Sequence, residues 1–169
     1  MKILRFVLKK LDALGEWTGK VIRWGILALV AVIVLETIAR KIFNYPFIWS
    51  YETSFFIFGY YLLLGASYTL LRGGHVAIDV LYLRLSEKKQ HILAIACLAS
   101  FTGIFTVGMT KGGTIIAINS WKMMEQGHSV WRPNIAHFRT LIPVAFALVF
   151  LQAVSLIIRH AAALKGTKL

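Results

Sequence analysis

Four ionisable residues fall inside long apolar stretches of the chain and are the first candidates for chemistry: Glu36, Arg40, Glu52 and Lys111. Charges are costly inside a bilayer, so such residues often mark proton relays or substrate paths. Glu36 precedes Arg40 by four residues, the order that favours an ion pair within one helix. Two interpretations stay open: a structural or subunit-contact pair, and proton or ion coupling through Glu36.

The other two charges lie near the expected ends of helices. Glu52 follows Ser50, a residue type that begins helices, and so occupies a first turn where the helix dipole favours a carboxylate. Lys111 lies about 30 Å along the third apolar stretch at 1.5 Å per residue, near the outer headgroups. Neither position is that of an unpaired charge at the bilayer centre.

The histidines do not form a predicted cofactor site. A haem or metal would need imidazoles at matching depth on facing helices. His75 and His91 flank one connection on the inner side, His128 and His137 lie on the outer side, and His160 ends the last apolar stretch. No pair is centred in the membrane, and the motifs of nucleophilic or phosphate-binding enzymes are absent. We therefore predict no cofactor, no metal and no enzymatic activity.

Composition indicates the elements that position these residues. The chain has 169 residues, of which 58% are hydrophobic and 15% charged, with a mean hydropathy of +0.70. Crossing a bilayer takes about 20 mostly apolar residues. This predicts an all-α integral membrane protein in one membrane domain, residues 1–169. The four predicted spans are approximately 24–43, 51–71, 90–110 and 138–158.

An amphipathic segment precedes the first span. Apolar residues recur at three- and four-residue spacing over about residues 3–22, which predicts an interfacial helix. It lies either on the membrane surface or against the chain's own bundle. Close packing of the third span on another helix is predicted by Gly108 and Gly112, and Gln152 could bond across an interface or inside the bundle.

The charge distribution predicts the orientation. Of the 19 Lys and Arg residues, 13 lie before the first span, in the second-to-third connection and in the tail, and five lie on the other side. By the positive-inside rule both termini are cytoplasmic. The net charge of +12 suits anionic lipids. Nucleic acid is not a predicted partner, because the chain is too apolar for a basic nucleic-acid binder.

The order of several short motifs resembles a known family. Arg40 and Phe43 end the first span, Trp49-Ser50-Tyr51-Glu52 opens the second, and Leu71-Arg72-Gly73-Gly74-His75-Val76-Ala77-Ile78-Asp79 follows it. A later patch reads Gly127-His128-Ser129-Val130-Trp131-Arg132-Pro133, before Leu141-Ile142-Pro143 in the last span. Together these resemble the small membrane component, DctQ-like, of tripartite ATP-independent periplasmic (TRAP) transporters.

The resemblance implies a three-part importer of small organic acids in the bacterial inner membrane. A periplasmic binding protein captures the substrate, a large multispanning subunit transports it, and the small subunit acts as a fixed support. Two sets of residues follow as expected sites. Contacts to the large subunit or the binding protein are expected at Arg40, Trp49, Glu52, Trp131 and Arg132. An inner-loop structural role is expected for Arg72, His75 and Asp79.

One alternative from another class stays open. A self-sufficient four-helix exporter could use Glu36 as its proton carrier. That mechanism needs the carboxylate to face a central cavity, whereas Arg40 lies one turn away.

Overall fold

The structure, a computed structural model, describes residues 2–73 and 85–165, and this part of the chain is almost entirely helical. Its helices are α1 (Lys2–Ile42), α2 (Ser50–Leu71), α3 (Glu87–Cys97), α4 (Ile104–Lys122) and α5 (Ala136–Leu164). A π-helical segment, Leu98–Gly103, joins α3 to α4 without a break. Four helical stretches are long and apolar enough to cross a membrane. The predicted all-α membrane fold with four spans is confirmed.

Helix α1 is unbroken where the sequence predicted two elements. It runs for 41 residues through the expected boundary near residue 23, because no proline interrupts this stretch. One face of its first half is buried, including Leu8, Thr18 and Ile22. A Cβ placed at Gly15 would lie 3.2 Å from Leu71 of α2 and 3.3 Å from Gln152 of α5. This part of α1 therefore packs on the chain's own bundle, and its position relative to a membrane stays a prediction.

The third span is longer at its outer end than predicted. The helix continues through Gly112 and Gly113 to Lys122, instead of ending near Thr110. Gly113 lies against α5, where an added Cβ would be 3.1 Å from the Cδ atom of Pro143. Glycines are tolerated inside membrane helices because the backbone hydrogen bonds stay within the helix. Close contact with α5 explains why a glycine does not end the helix at this point.

Helix α5 is the centre of the bundle and packs on α1, α2, α3 and α4. Half of its eight buried residues have small side chains: Ala136, Ala145, Ala153 and Ser155. Membrane helices associate through such small residues, since lipid supplies no hydrophobic drive to bring them together. Large apolar side chains lie mainly on the outer surface. The bundle therefore places its polar and small groups inside and its apolar groups outside.

The bundle has two ends, which are distinguished by the helix ends and connections that lie there. Helix α2 ends at Leu71, and Gly73 has a positive φ of 67°, the conformation that commonly ends a helix. The connections from α1 to α2 and from α4 to α5 lie at one end, here called the outer end. The first turns of α1 and the last turns of α2 and α5 lie at the inner end.

Candidate functional site

The predicted Glu36–Arg40 ion pair is present at the outer end. The Nη2 atom of Arg40 lies 2.6 Å from Oε1 of Glu36. The other oxygen, Oε2, accepts a hydrogen bond of 2.9 Å from the backbone N–H of Phe47. Both oxygens of Glu36 thus have partners, and the carboxylate joins the end of α1 to the turn that leads into α2. This geometry favours the structural interpretation of Glu36 over the proton carrier of an exporter.

Glu52 lies beneath the outer connection between α4 and α5. The residue is 8% exposed, and its Oε2 atom is buried without a hydrogen-bond partner among the described residues. A Cβ added at Gly127 would lie only 2.7 Å from Oε1 of Glu52. Glu52 therefore lies directly beneath this connection. It was predicted to be a contact residue on the outer surface, but it is buried under that surface.

The connection itself is clamped to the ends of α4 and α5. Glu125 accepts hydrogen bonds from the hydroxyl of Ser120 and the guanidinium of Arg139. The N–H of Gly127 donates to the carbonyl of Pro133 across 2.8 Å, which closes the loop on itself. The Ser120 hydrogen bond first, and then the charge of Arg139, hold the pKa of Glu125 below its usual range. The loop is thus a fixed feature of the outer end.

Four of the predicted contact residues are accessible at the outer end. Arg40, Trp49, Trp131 and Arg132 are exposed, and the ring of Trp49 stacks on Phe47 with centroids 5.3 Å apart. Glu52, three residues after Trp49, lies against Gly127 of the loop that carries Trp131 and Arg132. The two motifs that resemble the family, one at Trp49 and one at Trp131, are therefore close in space. We call these four exposed residues the outer contact surface. Their role in contacting another protein stays a prediction.

Asp12 is the centre of a polar cluster at the inner end. It accepts hydrogen bonds from Nε2 of Gln152 at 3.2 Å and Oγ of Ser155 at 3.4 Å, and it pairs with Arg159. Gln152 thus bonds inside its own bundle, one of the two alternatives. Asp12 was not predicted as the partner of Gln152, although an acidic residue in so basic an N-terminal segment could have indicated a specific polar contact.

Arg72 also joins helices at the inner end. Its Nη2 atom lies 2.9 Å from Oε1 of Glu16, so the end of α2 is tied to α1. Its guanidinium also lies 5.6 Å from the centre of the Tyr68 ring. These two contacts support the structural role expected of Arg72. His75 and Asp79, which were expected to act with it, lie outside the described residues.

The structure brings together two histidines that the sequence analysis did not pair. The Nδ1 atoms of His91 in α3 and His160 in α5 are 2.9 Å apart. Both histidines were predicted to lie on the inner side, and no contact between them was predicted. With neutral rings, one Nδ1 donates and the other accepts. The pair therefore joins the beginning of the third span to the end of the fourth.

One face of α4 carries a lysine between two glycines. Gly108, Lys111 and Gly112 share this face by their three- and four-residue spacing. A Cβ added at either glycine would meet nothing within 4 Å in residues 2–73 and 85–165, and Lys111 is exposed. No carboxylate of the described residues forms an ion pair with Lys111. Gly113, and not the predicted pair of glycines, makes the close contact within the chain.

Comparison with known proteins identifies the family. The family model described as "Tripartite ATP-independent periplasmic transporters, DctQ component" matches residues 29–163. Two relatives are C4-dicarboxylate TRAP transporter small permease proteins DctQ, from Pseudomonas aeruginosa and Vibrio cholerae. They are 30% and 29% identical to the chain over 66% and 56% of its length.

A third relative has a different name and a much longer chain. It is the sialic acid TRAP transporter permease protein SiaT of Haemophilus influenzae, 31% identical over 48% of the chain. The matched region spans 53% and 44% of the two DctQ relatives and 13% of SiaT. A DctQ component is part of a transporter and not an enzyme, as predicted. The chain belongs to the DctQ component family of TRAP transporters.

Proposed function

We propose that the chain is the small, supporting membrane subunit of a TRAP-type importer of small organic acids in the bacterial inner membrane, with both termini cytoplasmic. Its partners are a large multispanning subunit, a periplasmic substrate-binding protein and anionic lipids. The observation that carries this proposal is the open face of α4 formed by Gly108, Lys111 and Gly112.

We expect this face to be a contact site because of the depth of Lys111. Gly113, two residues after Lys111 in α4, lies against Pro143 of α5. Pro143 is seven residues after Ala136, where α5 begins. Seven residues correspond to about 10 Å of helix, so we expect Lys111 to lie about 10 Å below the outer end of α5, deeper than the headgroup position expected from the sequence. An ammonium group at this depth is costly unless it is paired. A carboxylate on a helix of the large subunit would pair with it.

The two glycines explain how such a helix would approach. Small residues separated by four positions let two membrane helices pack at close range. Because a Cβ added at either glycine would meet no other part of the described chain within 4 Å, this surface is available to a partner. SiaT, in which a region similar to this chain makes up 13% of a longer permease protein, supports a close association with a larger permease.

The outer contact surface is proposed to help dock the binding protein. It combines two aromatic side chains with two arginines, of which Trp131 and Arg132 lie on the loop held by Glu125 and Glu52. Aromatic residues and arginine are the side chains that most often carry binding energy at protein interfaces. The organic-acid class follows from the relatives, which are named for C4-dicarboxylate and sialic acid transport.

Substrate uptake by reconstituted vesicles tests the supporting role. We expect uptake in vesicles that contain this chain, the large subunit and the binding protein, and little uptake when this chain is left out. Full uptake without it would refute the proposal.

A substitution in α4 tests the contact face directly. Lys111→Ala should lower co-purification with the large subunit several-fold, because it removes the ion pair. Lys122→Ala is the matched control, since it removes the same charge at the end of the same helix. Equal co-purification of both variants would show that the Lys111 face is not the contact.

A further inference from the structure

A groove between α1 and α2 has one cationic residue, Arg23, at the middle of its length. Its volume is about 460 Å³. Gly19 and Thr69 line one end, Ile26, Tyr61 and Leu62 line the other, and Arg23 lies between the two ends. Gly65 leaves the floor open, because among the described residues a Cβ added there would meet only Ile22, at 4.0 Å.

The direction and length of the groove match one membrane leaflet. Thr69 lies two residues before α2 ends at Leu71, whereas Leu62 lies near the middle of the helix. The seven residues between them span about 10 Å, compared with about 15 Å for half of the hydrocarbon core. The Thr69 end therefore lies at headgroup level, within reach of the long side chain of Arg23, and the Leu62 end lies near the bilayer centre. By the positive-inside rule, the headgroup level is that of the cytoplasmic leaflet.

The charge of Arg23 is not neutralised within the described part of the chain. The carboxylates of Asp12, Glu16, Glu36 and Glu125 are each paired with another arginine. The guanidinium of Arg23 lies over the ring of Trp24, with Cζ 5.9 Å from the ring centroid. Its guanidinium is exposed and presents donors suited to a phosphate.

We propose that this groove binds an anionic phospholipid of the cytoplasmic leaflet, with the phosphate at Arg23 and an acyl chain along Ile26 and Leu62. A helix of a partner protein fits less well. A membrane-spanning helix presents mostly apolar side chains, whereas the phosphate of a lipid pairs with the charge of Arg23. An acyl chain is narrower and needs no hydrogen-bond partners, and the groove walls beyond Arg23 offer few. This site rests on the anionic lipids proposed above as partners and adds where one of them binds, but it does not depend on the supporting role.

Native mass spectrometry of the purified full chain tests the proposal. The protein is incubated with equal amounts of phosphatidylglycerol and phosphatidylcholine that carry the same acyl chains. We expect preferential retention of phosphatidylglycerol, and we expect Arg23→Gln to lower that retention about fivefold, the factor that corresponds to about 1 kcal/mol per basic residue. Arg132→Gln is the matched control, because Arg132 is also exposed and forms no ion pair within the described residues.

A second variant fills the groove without changing the charge. Gly65→Leu should remove retention of both lipids, with helix content checked by circular dichroism. If that variant does not fold, Ile26→Trp fills the opposite wall. Equal losses of phosphatidylglycerol in Arg23→Gln and Arg132→Gln would overturn the proposal, because net charge would then explain binding. Unchanged lipid retention in a folded groove-filling variant that no longer co-purifies with the large subunit would also overturn it and assign the groove to a protein helix.

Discussion

The side chain of Gln152 donates a hydrogen bond of 3.2 Å to Asp12, a residue 140 positions earlier in the chain. Asp12 also accepts from Ser155 and pairs with Arg159, so three residues on one face of α5 converge on a single carboxylate of α1. We expect this cluster to be a principal polar link between the two helices.

Replacing Asp12 by Asn should lower the free energy of unfolding of the isolated chain by about 1–3 kcal/mol, because Arg159 loses its anionic partner. Thermal unfolding in detergent measures the effect. Glu87→Gln is the matched control, since Glu87 is an exposed carboxylate with no ion pair within the described residues. Similar losses of stability in both variants would show that the cluster adds nothing specific.

Replacing Gly127 by Ala should destabilise the outer loop. The new Cβ would lie 2.7 Å from Oε1 of Glu52 and 3.2 Å from Cδ of Pro133, and such overpacking costs about 1–3 kcal/mol. Gly108→Ala adds the same methyl group in open space within a helix and should leave stability unchanged or raise it by up to about 1 kcal/mol. Thermal unfolding compares the two variants. A neutral Gly127→Ala would mean that Glu52 moves aside freely.

Acid should remove the contribution of Glu125 to stability. The pKa of Glu125 is lowered in the folded chain, chiefly by the Ser120 hydrogen bond, so its stabilising effect is present at neutral pH. That effect is lost as the pH falls from the usual carboxylate value of about 4.3 through the lowered value. We expect the difference in melting temperature between the natural chain and Glu125→Gln to shrink over this range. A difference that is constant from neutral pH to about pH 3 would contradict the assignment.

His91 and His160 should be energetically coupled. Replacing either one by Leu leaves the ring nitrogen of the other without its 2.9 Å partner, whereas replacing both removes the two polar groups together. The double variant should therefore lose at least about 0.5 kcal/mol less stability than the sum of the single variants. Thermal unfolding of the four proteins completes the cycle. Additive losses would show that the two rings do not interact.

The fold was predictable because apolar length is a strong signal in membrane proteins. The second span was predicted within one residue of α2, Ser50–Leu71, since polar turn residues bound it on both sides. The third was predicted too short, because Gly112 and Gly113 resemble a helix end in sequence and only contact with α5 shows that the helix continues. A separate interfacial helix was predicted because amphipathic spacing does not reveal whether the helix bends.

Ion pairs within one helix were predictable from the sequence, whereas ion pairs between helices were not. Glu36 and Arg40 were predicted to pair because four-residue spacing is visible in the sequence. Asp12 with Arg159 and Glu16 with Arg72 join separate helices, and nothing in the spacing indicates which helices are neighbours. The burial of Glu52 was likewise hidden, since it depends on where a loop seventy-five residues later folds back.

The unbroken length of α1 has a mechanical consequence. Its pair Glu16–Arg72 fixes it to the end of α2, and the Asp12 cluster fixes it to α5 one turn away. At its other end, Glu36 holds the turn into α2 through Phe47. Helix α1 is thus a single rod attached at three points, and neither α2 nor α5 can tilt against it without separating a charged pair. We therefore expect the subunit to keep this arrangement of helices before any partner binds.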